Sequence, residues 1–498
     1  MDWEQGYNAA GVAHLVRTAL EKDDLSTAID LCRELNQRAS GYGPGWHLAA
    51  QIALKLDNPA SALAMAQRAV GCQPDPVVEM LIVACHSRLG HYREGRAAAR
   101  ILGHAQPPHL ALQRAQLLLE LGCPDDAAAQ YRYLIDTQGA NPTLLAALAD
   151  ALRLAGRIEE ASATLDQAIQ LAPHQDDLWA TRAFLQRQSE SHHHIDTLQF
   201  AIARRTSPCP ALHYALAKEW ADLRCEEAAW QNLHTGAQQQ QQALGYQVDR
   251  DRAQFQAIQA LFPAPGSGQP RASERPRPLF LAGLPDGSIE AIADYLSQHD
   301  QVVHLGPINR FLPELERQLA QQARLNGKPL WGSKAKLMAS TQLDLEPLAQ
   351  AYRSSLPPES EGARWVIDTS PGHDQHLGLL LQALPEARAI LPQRPLASSG
   401  AALYQQWFGP EQPYSYDPTQ LGHYLLAHRQ LMAHWQTRHP EQLLVLDMAQ
   451  SASDASRMVW DHLALTPLPP PANWPMTTHW GDPDKALPEL IAALVSES

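Results

Sequence analysis

A chain of 498 residues exceeds what one ordinary hydrophobic core supports, so two or three domains are expected. With 53 acidic against 39 basic side chains the formal net charge is -14. That excludes a general nucleic-acid binder and a polybasic membrane-surface protein, since both need clustered Lys and Arg. No stretch approaches the roughly 18 apolar residues of a membrane span. The acidic start M-D-W-E-Q-G-Y-N lacks the apolar segment of a secretory signal, so a cytoplasmic setting is expected. Cys32, Cys72, Cys85, Cys123, Cys209 and Cys225 are scattered with no C-x-x-C pair. They read as free thiols rather than disulfides or a metal site.

From the N-terminus to about residue 235 the chain repeats itself. Ala28, Ala62, Gly95, Ala127 and Ala161 fall in equivalent places, 34, 33, 32 and 34 residues apart, and looser units follow around Ile195 and Ala228. A large or apolar residue follows four on (Cys32, Leu165), then a small or apolar one three further (Ala69, Leu134, Ala168), and Pro74, Pro142 and Pro173 punctuate the units. A small residue at a helix crossing lets two helices approach closely, and proline stops a helix. This spacing resembles the tetratricopeptide repeat. It predicts about seven antiparallel helix pairs stacked into a right-handed superhelix with a concave surface, because no unit buries its own apolar face. Such a groove suits a protein or peptide partner, and equally a rigid spacer or dimerisation arm. His192, His193 and His194 fall at a turn and read as solvated rather than metal-binding, and Gln238 to Gln242 as a polar helical stretch.

Residues 236–278 read as connecting helices followed by a Pro/Gly/Ser-rich linker, P-A-P-G-S-G-Q-P-R-A-S-E-R-P-R-P (263–278). Residues 279–498 then read as an α/β domain with a mainly parallel sheet. A strand at Leu279 to Ala282, a Gly-containing turn and a helix from Ser288 take the form of a phosphate-cradling loop. Further strands are predicted at Trp365 to Asp368, Ala387 to Leu391 and Leu443 to Leu446.

The segments P-Y-S-Y-D-P-T-Q-L-G-H-Y-L-L-A-H-R-Q-L-M-A-H-W (413–435), N-R-F-L-P-E-L (309–315), D-T-S-P-G (368–372), H-L-G-L-L (376–380) and P-E-A-R-A-I (385–390) are similar to those of bacterial tetratricopeptide-repeat sulfotransferases. The family's relatives sulfate tyrosyl proteins from 3′-phosphoadenosine 5′-phosphosulfate. The resemblance implies a P-loop-type sulfotransferase fold behind the repeats, and it identifies which positions depart from the family. Where the family's donor loop reads G-M-P-R-S-G-T-T, this chain has Gly283 to Glu290, with Asp286 in place of the cation, Gly287 and Ser288 next, and Glu290 in place of a hydroxyl residue. Pro307 stands where the family has its candidate general base, and Thr369 where it has the lysine that stabilises the sulfuryl group. In the segment that clamps the 3′-phosphate, Gln393 and Ala401 replace the arginine and serine, leaving Arg394, Ser398 and Ser399 as weak candidates. The family's C-terminal G-R-W cofactor loop has only W-G-D-P-D-K (480–485) as a stand-in.

A carboxylate about 4 Å from an anionic ligand costs on the order of 4 kcal/mol at an effective dielectric of 20. A helix N-terminus returns only about 0.3–1 kcal/mol, and loss of a base removes roughly 10²–10⁴ in rate. The sequence therefore reads as a pseudo-sulfotransferase: no catalytic residue, no cofactor and no metal, with a partner-binding or scaffold role, the partner a protein or peptide that includes an active transferase among the options, in a homo- or heterodimer. On this reading Asp286→Arg with Glu290→Thr restores phosphate binding without transfer. The alternative is an active sulfotransferase or other group transferase on a protein or peptide acceptor, with a site rearranged around Asp286, Glu290, His373, Asp374, His376 and Arg394. Weak nucleotide binding through Arg394 and Ser398 or Ser399 is a third.

Overall fold

Each small residue that the repeat spacing places at a helix crossing is shut away from solvent: Ala28, Ala62, Ala127 and Ala161 are fully buried. A Cβ on Gly95 would lie 2.7 Å from Leu121 Cδ2, so that crossing accepts only glycine without movement. In this computed structural model the described residues are 8–103, 107–262, 276–304, 306–327, 330, 332–356, 360–471 and 480–496. The chain divides into two compact units, residues 1–164 with 351–358 and residues 165–350 with 359–498.

The first unit holds helix pairs α1 (Ala9–Glu21) and α2 (Leu25–Arg38), α3 (Gly43–Lys55) and α4 (Pro59–Cys72), α5 (Pro76–Leu89) and α6 (Tyr92–Ile101), and α7 (Pro108–Glu120) and α8 (Pro124–Gln138). Next comes α9 (Pro142–Leu154), and its partner α10 (Ile158–Leu171) runs across the unit boundary. Pro142 opens α9, where its missing N–H costs no helical bond. Trp46 donates its indole N–H to the Ser40 carbonyl six residues back, and Trp179 does the same to Pro173, so both fasten a helix start to the preceding turn.

The second unit continues the pairs with α11 (Asp176–Leu185) and α12 (Ile195–Ala203), and α13 (Pro210–Asp222) and α14 (Glu226–Leu244), which makes seven pairs among the described residues. The last crossing is made by Ala229 rather than Ala228: Ala229 is fully buried, and Leu233 and Gly236 complete its pattern. The histidine turn is only partly solvated. His192 is exposed, whereas the backbone amide of half-buried His194 donates to buried Glu219 at 2.5 Å.

After α15 (Asp249–Leu261) come β1 (Arg277–Leu281), α16 (Ser288–Leu296), β2 (Val302–His304), α17 (Phe311–Leu325), α18 (Gly332–Ser340), α19 (Leu345–Ser354), β3 (Trp365–Asp368), α20 (His373–Ala383), β4 (Arg388–Gln393), α21 (Leu396–Tyr404), α22 (Pro418–Arg438), β5 (Leu443–Asp447), α23 (Ala452–Leu463), α24 (Pro483–Ala486) and α25 (Pro488–Ser496). The strands form one wholly parallel sheet in the order β2-β3-β1-β4-β5 among the described residues. Leu279, Leu281, Ile367, Ile390, Trp365 and Trp460 anchor the core on one face of this sheet. Residues 263–275 of the expected linker lie outside the described residues, and its last two, Arg277 and Pro278, belong to β1.

Helices α11 to α15 belong to the same compact unit as the sheet. The glutamine run explains this. Gln240 and Gln241 donate to the Gly409 carbonyl (3.0 Å) and the Asp417 carboxylate (2.9 Å), and the Tyr214 hydroxyl donates to the Tyr404 carbonyl (3.1 Å). Helices α15, α20 and α22 meet at Gly378, where an added Cβ would lie 2.7 and 2.8 Å from Trp435 ring atoms and 2.9 Å from Phe262. Gly378→Ala is expected to lower stability by about 1–3 kcal/mol, because two rings must shift in a packed core. An unchanged urea midpoint would show that the rings have room.

Candidate functional site

The loop that leaves β1 turns sharply because Gly287 takes a left-handed conformation (φ 81°) as the N-cap of α16. That turn swings Asp286 inward, and the residue is 4% exposed. Its Oδ1 accepts from the Ser288 amide (3.1 Å) and the Ser288 hydroxyl (2.5 Å), and its Oδ2 accepts from the Ser399 hydroxyl (2.6 Å) on α21. Arg394, at the end of β4, places Nε 3.9 Å from Oδ1. The structure thus brings Asp286, Ser288, Arg394 and Ser399 together around Gly283 and Gly287. The amide, hydroxyls and guanidinium converge on a carboxylate that the loop supplies itself.

Arg394 is buried, which pushes its guanidinium below the usual range while Asp286 opposes the shift. Its Nε and Nη2 have no hydrogen-bond partner among the described residues. Arg394 lines a cavity of about 20 Å³ with Asp286, Ser399, His428 and Arg429. That space admits about one water and no phosphate group.

The remaining positions do not join this cluster. Glu290 is exposed on the first turn of α16, and Ser398 is half-buried beside Ser399. Pro307 is exposed in the loop after β2, and Thr369 is half-buried after β3. These two loops are tied to each other, since the Ile308 amide donates to Asp368 Oδ1 (3.3 Å) and the Asn309 amide to the Ser370 hydroxyl (2.7 Å).

The end of β3 repeats the device found at β1. Asp368 accepts from the amide and hydroxyl of Ser370 two residues on, as Asp286 does from Ser288, and Gly372 (φ 81°) caps α20 as Gly287 caps α16. The D-G-S and D-T-S triplets carried that signal in the sequence, which did not single out Asp368. His373 stands with Nε2 3.9 Å from Asp368 Oδ2, both fully buried, and burial pushes the imidazole below its usual range while Asp368 opposes. Asp374 is taken by His428, whose Nε2 lies 3.0 Å from its Oδ2. His376 holds its Nδ1 proton toward the Gly372 carbonyl at 2.9 Å. His373 and Asp374 are thus both buried, each beside an internal counterpart, Asp368 and His428 respectively.

The phosphosulfate of a nucleotide donor would need the amide, hydroxyls and guanidinium that face Asp286, and would meet a carboxylate there. No helix among the described residues is long and apolar enough to cross a membrane.

The profile of the sulfotransferase family matches residues 278–461. A protein of Aquifex aeolicus, known as an uncharacterized protein, is 27% identical over 198 residues; the match spans 39% of this chain and only 26% of that relative's length. Among solved structures, a sulfotransferase of Mycobacterium tuberculosis is 14% identical, covering 65% of this chain and 93% of its own, at a TM-score of 0.25. A tetratricopeptide-repeat protein of Thermus thermophilus is 20% identical, covering 36% of this chain and 98% of its own, at a TM-score of 0.25. The chain carries a sulfotransferase-family domain at residues 278–461, behind an array of tetratricopeptide-type helix pairs.

Proposed function

We propose that this chain is a non-catalytic member of the sulfotransferase-like proteins that works by holding a protein or peptide partner through its repeat helices. One observation carries the reading: the Asp286 carboxylate already sits on the amide of the α16 N-terminus, the Ser288 and Ser399 hydroxyls and Arg394. An incoming phosphosulfate would have to displace a covalently attached competitor. The positions of base and electrophile, Pro307 and Thr369, offer neither a proton acceptor nor a cation. A partner with its own transferase activity, bound in a cytoplasmic complex or a dimer, accounts for keeping the fold while its chemistry is lost.

Isothermal titration of the purified protein with 3′-phosphoadenosine 5′-phosphate is expected to give no binding heat at ~0.1 mM ligand. Low-micromolar affinity would overturn the reading. Sulfate transfer to a tyrosyl peptide would establish the active-transferase alternative instead.

A further inference from the structure

A second cavity in the second unit lies away from the Asp286 loop, between α15, α17, α18 and the start of α20. It encloses about 590 Å³, within the roughly 300–1,000 Å³ typical of small-molecule sites. Its floor is apolar: Leu312, Leu315 and Leu319 form one stripe along α17, faced by Leu337 of α18 and by Ala257 and Ile258 of α15. Its polar wall is internally satisfied, since Gln254 donates to Gln375 at 2.6 Å and His376 Nδ1 faces the Gly372 carbonyl.

The mouth is cationic. Lys336 is neutralised by Glu316 at 3.0 Å, whereas Arg250 and Lys334 pair with no carboxylate among the described residues. Two surplus positive charges beside an apolar cleft run against a chain of net charge -14.

We propose that this cleft binds a medium-chain aliphatic anion, its alkyl chain along the α17 leucines and its carboxylate between Arg250 and Lys334. A polyhydroxylated ligand or a nucleotide would bury hydroxyls and ring nitrogens against leucine without partners. A cationic amphiphile would meet like charge at the mouth. The assignment does not rest on the non-catalytic reading, because none of residues 283–288 or 394–399 lines this cavity.

Titration of the intact protein with decanoate, decanol and decyltrimethylammonium tests it. Decanoate is expected to bind with a dissociation constant of about 0.1 mM or tighter. Decanol should bind about tenfold more weakly, and Arg250→Gln with Lys334→Gln should weaken decanoate about tenfold while leaving decanol unchanged. Both side chains are exposed, so the double variant keeps its fold. Ala257→Phe, which fills the floor, should abolish binding of both. The proposal is overturned if decanoate shows no binding at ~1 mM, if the ammonium amphiphile binds as well, or if the double variant binds decanoate like the parent.

Discussion

Asp286→Ala is expected to destabilise the second unit by about 3 kcal/mol, and sulfate is expected to return part of that loss to the variant while leaving the parent unchanged. The first effect follows from what the carboxylate holds. Removing one partner of a buried ion pair costs about 3–5 kcal/mol, because the other charge stays buried and uncompensated. Here the abandoned charge is Arg394, together with the Ser288 amide and two buried hydroxyls. The second effect follows because those same donors then face a vacated anion position at a helix N-terminus. For a dissociation constant near 1 mM, ~10 mM sulfate returns about 1.4 kcal/mol by mass action. Glu290→Ala is the control: it alters an exposed residue and should stay within about 0.5 kcal/mol of the parent. Equal stabilisation of parent and Asp286→Ala by sulfate would mean that the anion binds elsewhere. The geometry also revises the expectation that Asp286→Arg with Glu290→Thr restores phosphate binding. Arg394 already stands 3.9 Å from Asp286, so an arginine at 286 would confront a buried cation with a second one.

Acid should unfold the second unit well before carboxylates titrate. His462, largely buried beside Arg388, is pushed down to about 4. His373, fully buried, is pushed in the same direction. Each is neutral in the folded protein at a pH where the unfolded chain, with an ordinary histidine near 6.5, takes up a proton. The stabilising contribution is therefore complete above pH 6.5 and is lost as pH falls towards the folded value. Between pH 6.5 and 5, His462 alone accounts for about 2 kcal/mol. His304, His439, His213 and His234 are shifted the same way by burial. Urea midpoints of the second unit should fall steeply from pH 7 to pH 5, and His462→Gln should flatten the slope. A midpoint constant over that range would show that these imidazoles become protonated without unfolding.

The repeat array and the sheet were legible because both rest on periodicity. The β3 span at Trp365–Asp368 matched its apolar run, and the small residues marked the crossings through Ala161. Two local errors have physical causes. Strand β2, Val302–His304, is a three-residue edge strand preceded by Asp300 and Gln301 and ending on His304, so no apolar run announced it. Adjacent Ala228 and Ala229 are indistinguishable by residue type, and only packing shows which one is buried. The loop was the harder case. Its altered residues were visible, but Asp286 read as an open negative charge because two of its partners, Arg394 and Ser399, lie far along the chain. Ser399 is 113 residues away, and no local pattern links it to Asp286.

The bonds that join α13 to α15 with the α/β domain bear on how such a protein is inherited. Tyr214 packs against Trp407 and Tyr416, Phe255 against Tyr424 and His428, and Phe262 against Trp435. Gene shuffling that cut the chain at residue 279 would hand the new host a domain with those rings open to water. A transferable module has to begin near residue 165, with helices that look, in sequence, like the property of the other half. The last repeat helices and the sheet thus have to travel together, and a gain or loss of repeats that spares these rings has to fall upstream of residue 165.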